Sequence, residues 1–264
     1  MAICKTIYMD GYSMPVAQFG RGEKALIILP GVSVDNTTSY ADAVEQSYWA
    51  LKEAYTIYLM DRRQEVPEGY SLEDMARDTL AVLDRLGVGT FSVMGASQGG
   101  MIGLYLAAIA PNRVEKMLLA SASWYLSDMA QKLFGSWAAF SASNEKMRLA
   151  QAFVDHVYSQ KRLQAQRDSL IESILPYTEA QLARFSILCQ AFFTADLDRL
   201  LPMISCDCYV VGAEGDQVYG IDFIRELAER LHCKSYFFDA QTGHALYDEE
   251  PTFFSAHLFP FFLD

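Results

Sequence analysis

Short apolar runs alternate with longer amphipathic segments along much of the chain. Several of the runs are almost continuously apolar, which is typical of strands that are covered on both faces of a sheet. The predicted strands are Ala25–Leu29, Tyr55–Met60, Phe91–Met94, Lys116–Ala120, Cys208–Val211 and Ser235–Phe238. This alternation predicts an α/β fold with a mostly parallel sheet between layers of helices.

The clearest helical pattern runs from Leu72 to Leu86. Its apolar residues recur every three or four positions, as they do along the buried face of a helix. Ser71 and Asp74 resemble a capping box at its start, and Gly87 follows its end. We therefore predict one helix between the second and third of these strands.

The alternation is interrupted between residues 123 and 203. This stretch contains long helical patterns rich in Leu, Ala, Phe, Met and Gln, and no good strand. A helical insertion between two strands of a parallel sheet predicts a cap over one sheet edge. The predicted organisation is a core domain of residues 1–122 and 204–264 with a helical cap, or lid, of residues 123–203.

Composition and charge narrow the function classes. The 264 residues are 52% hydrophobic and 20% charged, as in a folded soluble protein, and the formal net charge of −12 argues against binding nucleic acid. No apolar run approaches the roughly 20 residues that span a bilayer, and we expect the apolar stretch from Phe253 to Leu263 to pack as a terminal helix. Five scattered cysteines and an N-terminus unlike a signal peptide predict a cytoplasmic protein with free thiols and no metal site.

The sharpest chemical signal is Gly-Ala-Ser-Gln-Gly-Gly at residues 95–100, which directly follows a predicted strand and begins a helix. A sharp strand-to-helix turn of this kind is a nucleophile elbow, and it projects its central side chain from the carboxyl edge of the sheet. Glycines on both sides of Ser97 remove side chains that would collide in the turn. Ser97 is therefore the predicted nucleophile.

A serine hydroxyl needs an adjacent base to act as a nucleophile. Of the four histidines, His244 follows the last predicted strand, in a loop at the sheet edge that also carries Ser97. The others lie in the inserted region, at the end of a polar helix and in the terminal apolar segment, at His156, His232 and His257. We predict His244 as the general base.

The base requires a carboxylate that orients it, and a buried strand ending at Val211 is followed by two acids. Asp216 is favoured because the extra turn residues let its short side chain approach the histidine, and Glu214 is the alternative. The chain order Ser, Asp, His agrees with this assignment.

Two backbone N–H groups are predicted to form an oxyanion hole. One belongs to Gln98, at the start of the helix after Ser97. The other belongs to Val32, in the loop after the first predicted strand, where Gly31 allows close approach and Ser33 could assist or replace it. The alternative is an ordinary strand-end turn.

Taken together, these segments resemble the α/β-hydrolase family, particularly small capped members related to esterases and aromatic C–C bond hydrolases. The resemblance covers most of the chain outside the insertion. It is carried by Met60-Asp61-Arg62, residues 70–76, the elbow, Ala110-Pro111-Asn112-Arg113-Val114, Met117-Leu118-Leu119, residues 211–216, Gly243-His244 and Glu250-Pro251.

The chain departs from the family pattern at several positions around the site. Pro30 occupies a place where the family commonly has histidine, and Ala96 and Gln98 flank the serine where His and Met are common. Aspartate at position 97 would have indicated a dehalogenase or an epoxide hydrolase, and serine points away from both.

The predicted function is therefore a serine hydrolase that cleaves a small acyl ester through an acyl-enzyme, without a metal or an organic cofactor. The same residues would serve a thioesterase, an acyltransferase or a C–C bond hydrolase, and a ligand-binding protein with little or no turnover is a further alternative. The apolar insertion, with Trp124, predicts a pocket for a small acyl or aryl substrate, with Gly31 and Ser33 at its edge. We expect a monomer or a homodimer with no membrane partner.

Overall fold

The structure, a computed structural model, describes residues 1–264. Its centre is one sheet of eight strands, β1 Ile3–Tyr8, β2 Ser13–Gly20, β3 Lys24–Leu29, β4 Tyr55–Met60, β5 Phe91–Ala96, β6 Val114–Ala120, β7 Asp207–Ala213 and β8 Lys234–Phe238. The strands lie in the order β1-β2-β4-β3-β5-β6-β7-β8. Strands β3 to β8 are parallel, whereas β2 is antiparallel to both β1 and β4.

The six predicted strands correspond to β3 through β8, so the predicted mostly parallel α/β sheet is confirmed. Neighbouring side chains along a strand point to opposite faces, and both faces are covered. Ile27 and Val93 belong to one apolar cluster, whereas Leu26 and Met94 belong to the cluster on the opposite face. This two-sided burial explains why the strands are nearly continuous in apolar residues.

The first two strands were not predicted. Strand β1 lies at the edge of the sheet and is mostly exposed, so it lacks a hydrophobic pattern. Strand β2 contains Pro15, which argues against a strand between two others because proline has no N–H to donate. Pro15 is accommodated opposite Thr6 of β1, and its carbonyl accepts a hydrogen bond from the N–H of Asp61 at 3.3 Å.

Helices cover both faces of the sheet. They are α1 Ala41–Ser47, α2 Leu72–Arg85, α3 Gln98–Ile109, α4 Asp128–Ala142, α5 Lys146–Val157, α6 Gln160–Ile174, α7 Glu179–Gln190, α8 Ile221–Arg230, α9 Leu246–Glu249, α10 Pro251–Phe253 and α11 Pro260–Leu263. Short 3-10 turns span Thr37–Tyr40, Trp49–Leu51, Ala191–Thr194 and Leu201–Met203, and a π-helical turn, Phe254–Leu258, joins α10 to α11.

Helix α2 agrees with its sequence signals. Ser71 and Asp74 form the predicted capping box, in which the Ser71 hydroxyl accepts from the Asp74 N–H and the Asp74 carboxylate accepts from the Ser71 N–H. The terminal apolar stretch is also helical and packs against the sheet through Phe254, Leu258 and Phe262. None of the helices combines the length and the apolar character needed to cross a bilayer.

The interruption between β6 and β7 consists of the four helices α4 to α7, with no strand among them. Aromatic packing holds this helical block together, since the ring of Phe134 stacks on Phe192 at a centroid distance of 3.8 Å and contacts Trp137 edge-on. The block lies where the insertion was predicted. Its role as a cap, and the corresponding domain boundaries, stay a prediction.

Strand β3 ends directly against the turn between β5 and α3. A Cβ atom added at Gly99 would lie 1.9 Å from the carbonyl oxygen of Leu29 and 2.6 Å from that of Pro30. Because both obstacles are backbone atoms, a side chain at this position would require the turn and the strand to separate. Glycine at this position therefore fixes the distance between the Ser97 turn and the loop after β3.

We predict that Gly99→Ala lowers the free energy of unfolding by about 3 kcal/mol or more, because the clash is with backbone. Gly103→Ala, in the same helix, is the matched control. Its Cβ would meet only side-chain atoms, at 3.3 Å or more, so its effect should stay within about 1 kcal/mol. Urea unfolding measures both, and equal effects would contradict the assigned role of Gly99.

Candidate active site

Three parallel strands bring the predicted site residues to one edge of the sheet. Ser97 follows β5, Asp216 lies in the turn after β7 and His244 lies in the loop after β8. Hydrogen bonds connect these strand ends through Ser121, whose N–H donates to the Val211 carbonyl at 2.8 Å. The Ser121 hydroxyl donates to the carbonyl of His244 at 2.8 Å.

Ser97 lies in the sharp turn that its sequence predicts. Its backbone has φ 51° and ψ −118°, in the left-handed range that residues with side chains rarely adopt. The N–H of Ser97 donates to the carbonyl of Ala120 at 2.9 Å, which holds the turn onto β6. The residue is buried, and its hydroxyl lies near that of Tyr219.

His244 and Asp216 form a buried hydrogen-bonded pair. The imidazole Nδ1 lies 2.7 Å from Asp216 Oδ2, and the two side chains are 7% and 0% exposed. Because a carboxylate only accepts, Nδ1 must carry the proton, and Nε2 of the neutral ring is left as an acceptor. A histidine in this tautomer is able to take a proton at Nε2.

Asp216 is held as an anion by several groups. Its Oδ1 atom accepts from the N–H groups of Val218 and Tyr219 at 2.8 and 3.0 Å. Burial by itself would raise the pKa of Asp216. The charge and hydrogen bond of His244, together with these two N–H groups, outweigh burial and bring that pKa below its ordinary value.

The remaining candidates for the base and its carboxylate lie elsewhere. Glu214 is exposed and ion-paired with Arg225, so the structure brings Asp216 to the imidazole instead. His156 Nδ1 contacts the carbonyl of Ala152, four residues earlier in its own helix. His232 is exposed after α8, and His257 packs against a phenylalanine ring near the C-terminus.

The predicted oxyanion residues border the serine. A Cβ added at Gly31 would lie 3.4 Å from Ser97 Cβ, so the loop after β3 passes directly beside the serine. The N–H of Val32 donates to no acceptor in the protein. Gln98 is the first residue of α3, where helix geometry provides no intrahelical acceptor for its N–H.

A cavity of about 620 Å³ lies beside this loop. Gly31, Val32 and Ser33 line one side of it, whereas Ser97 and His244 are not among its walls. Most of the lining is apolar or aromatic, and the aromatic residues are Tyr40, Tyr48, Phe153, Tyr158, Tyr247, Phe254 and Phe259. Trp124 is not part of the cavity, because its ring packs against Tyr125 and the guanidinium of Arg230.

Sequence reasoning missed Tyr219, which contacts the other three residues. Its N–H donates to Asp216, and its ring lies 5.5 Å from the His244 ring. Its hydroxyl donates to Met101 Sδ at 3.3 Å. Burial raises the pKa of Tyr219, and the nearby Ser97 hydroxyl opposes that rise. In the sequence, only its position three residues after Asp216 could have indicated that Tyr219 lies at this site.

A second missed residue is Arg62, whose guanidinium is buried next to the loop after β3. The protein has no group of three His, Cys, Asp or Glu side chains that could hold a metal ion. All five cysteines are free thiols, and Cys206 and Cys208 lie with their sulfur atoms 3.9 Å apart.

Comparison with known proteins agrees with this fold. A sequence model described as the alpha/beta hydrolase fold matches residues 51–251, about three quarters of the chain. The chain belongs to the alpha/beta hydrolase fold family. The serine hydrolase BPHL of Mus musculus is 23% identical over 240 residues, which cover 86% of this chain and 76% of that protein.

Solved structures share the fold at low identity. The alpha/beta hydrolase MGS-M2 from a Medee basin deep-sea metagenome library has a TM-score of 0.88 at 19% identity, covering 98% of both chains. The enol-lactonase of Burkholderia xenovorans LB400 has a TM-score of 0.84 at 19% identity, covering 98% of this chain and all of that one. These structural similarities establish the family fold over the whole chain.

We predict that Asp216→Ala lowers the free energy of unfolding by about 1–3 kcal/mol near pH 7, because it leaves two backbone N–H groups and His244 without their acceptor. Glu214→Ala is the matched control and should cost less than about 1 kcal/mol, as expected for an exposed ion pair. Urea unfolding of both variants measures the difference.

The pH dependence of this difference follows from the lowered pKa of Asp216. The stabilising contribution of a carboxylate whose folded-state pKa is lowered is present above the unfolded pKa of about 3.9, and it is lost as the pH falls through the folded-state value. The stability difference between wild type and Asp216→Ala should therefore narrow as the pH falls below about 4. A constant difference down to pH about 2 would contradict the assignment.

Proposed function

We propose that this protein is a serine hydrolase that cleaves small acyl esters, with Ser97 as nucleophile, His244 as general base and Asp216 as the group that orients the base. The observation that carries the proposal is the buried pair of His244 and Asp216, 2.7 Å apart, at the sheet edge where Ser97 occupies a strained turn. Membership of the alpha/beta hydrolase fold family supports it.

The proposed reaction has two steps. His244 Nε2 takes the proton from Ser97 Oγ as that oxygen attacks the ester carbonyl carbon, and the N–H groups of Gln98 and Val32 bind the oxyanion that forms. The C–O bond to the leaving group then breaks, and the leaving alkoxide receives the proton from His244. Water attacks the acyl-enzyme in the same way, releasing the acid and restoring the serine.

The cavity beside the loop after β3 favours an apolar acyl or aryl group in the substrate. It has room for a group of small-ligand size, and its walls combine apolar residues with several tyrosines. Val32 lines it, so a group bound there would lie next to an N–H proposed to bind the oxyanion. Phe153 and Tyr158 of the helical block also line it, which supports a cap role for that block.

Other acyl-transfer chemistry would use the same residues, including thioester hydrolysis, transfer to an acceptor alcohol and cleavage of a C–C bond in a diketone. Ester hydrolysis is favoured over hydrolysis of coenzyme A esters because a protein of net charge −12 shows no basic cluster for a polyphosphate. A binding protein with little turnover is a different class, and stoichiometric labelling by a fluorophosphonate separates it from an enzyme.

The first test is hydrolysis of p-nitrophenyl esters of increasing acyl length. We predict turnover by wild type that Ser97→Ala lowers by a factor on the order of a million in kcat, since the proposed residues act as one unit. Ser169→Ala, on the exposed face of α6, is the matched control and should keep full activity. Folded wild type that neither turns over these esters nor reacts with a fluorophosphonate would contradict the proposal.

The base is tested with a pair of histidine variants. His244→Asn should lower kcat by at least about 10⁴-fold, because it removes the proposed general base. His232→Asn changes an exposed histidine with φ 49°, a conformation that asparagine adopts readily, and should leave kcat unchanged. Comparable losses in the two variants would show that the base has been assigned wrongly.

A further inference from the structure

The guanidinium of Arg62 joins the two backbone segments proposed to bind the oxyanion. Its Nη2 donates to the carbonyl of Pro30 at 2.8 Å and to Gln98 Oε1 at 2.8 Å. Its Nη1 donates to the carbonyl of Gly31 at 3.3 Å. One buried side chain therefore contacts both the loop after β3 and the first residue of α3.

This cation is buried against neutral acceptors. The neighbouring carboxylate of Asp61 is occupied by the N–H groups of Thr37 and Arg62 and by the guanidinium of Arg184. Burial lowers the pKa of Arg62 to about 10, so the guanidinium still carries its charge at neutral pH. Burying a cation that donates only to carbonyl and amide oxygens lowers the stability of the fold. The contacts of Arg62 therefore indicate a role other than stability.

The contact to Gly31 sets the direction of the Val32 N–H. In a trans peptide the C=O and the following N–H point in opposite directions, and the chain has no cis peptide bond. When Arg62 holds the Gly31 carbonyl, the N–H of Val32 is therefore turned away from the guanidinium. The Val32 N–H has no hydrogen-bond acceptor in the protein.

The contact to Gln98 extends the network to the helical block. Gln98 Oε1 accepts from Arg62, and its Nε2 donates to the carbonyl of Leu188 in α7 at 2.7 Å. Arg184, also in α7, donates to Asp61 at 3.2 Å. The start of α3, the loop after β3 and helix α7 thus share one buried hydrogen-bond network.

We propose that Arg62 is a positioning residue that aligns the N–H groups of Val32 and Gln98 for the oxyanion. The inference rests on the proposed serine-hydrolase function. Arg62 acts through the groups it holds, since both of its Nη atoms donate to protein acceptors. Its planar fork matters more than its charge, because a lysine ammonium lacks the geometry to hold Pro30, Gly31 and Gln98 together.

The experiment compares Arg62→Met and Arg62→Lys with Arg63→Met as the matched control. Arg63 is the next residue, but it contacts Asp78 at 3.5 Å and the rings of Tyr12 and Tyr70, away from the loop. Ester hydrolysis is measured per fluorophosphonate-titrated site, so that loss of folded protein does not count as loss of rate. Affinity for an alkyl trifluoromethyl ketone, which forms a tetrahedral adduct with a serine, is measured in parallel.

Both Arg62 variants should lose roughly 10- to 100-fold in kcat with KM within about threefold of wild type, as expected for displaced oxyanion donors. Ketone affinity should fall by the same factor as kcat/KM, because it reports binding of the tetrahedral state. Arg63→Met should change none of these values. If Arg62→Met does not fold, Arg62→Lys carries the test.

Unchanged kcat per site in Arg62→Lys, or a loss confined to KM, would overturn the positioning role. If wild type reacts with no fluorophosphonate, the proposed function fails, and amide hydrogen exchange of residues 31–34 then decides whether Arg62 holds the loop after β3. Faster exchange there in Arg62→Lys but not in Arg63→Met supports positioning. Equal exchange in the two variants overturns it.

Discussion

The backbone of the turn between β5 and α3 lies directly against the last carbonyl groups of β3, with no side chain between them. Gly99 makes this contact possible, and Gly31 lets the loop after β3 pass beside the Ser97 side chain. Because the Gly99 contact is between backbone segments, main-chain packing sets the distance between the Ser97 turn and the loop after β3. The cavity, the unpaired N–H of Val32 and the Arg62 contacts all depend on that distance.

Two buried ionic groups near this contact are stabilised in different ways. Asp216 has an imidazole and two backbone N–H groups as partners, so its negative charge is well compensated. Arg62 has only neutral oxygen acceptors, and its charge is correspondingly destabilised by burial. The first arrangement keeps a histidine in one tautomer. In the second, one guanidinium binds two backbone carbonyl oxygens and one side-chain amide oxygen.

The departures from the family pattern gain a physical meaning from these contacts. Gln98 stands where methionine is common, and its amide accepts from Arg62 and donates to the Leu188 carbonyl. A methionine would make neither bond. Pro30 stands where histidine is common, and the same guanidinium donates to its backbone carbonyl, a group that every residue type provides.

The sequence by itself determined the parallel sheet and the placement of Ser97 and His244 at one edge. Those features follow from local patterns, namely apolar runs, a strand–turn–helix motif and the rule that parallel strands end at the same edge. The preference for Asp216 over Glu214 was also drawn from the turn length, and the structure places Asp216 on the imidazole.

Only the tertiary structure decided the rest. Strand β1 is defined by pairing with β2, and β2 accommodates a proline that local rules disfavour. The aromatic cavity walls come from the two ends of α1, from α5 and the residue after it, and from the C-terminal helices, and Trp124 lies outside that cavity. Arg62 reaches Gln98 across 36 residues of sequence, and Tyr219 meets Met101 across 118. Contacts between such distant positions leave no periodic pattern, because they depend on how the elements pack.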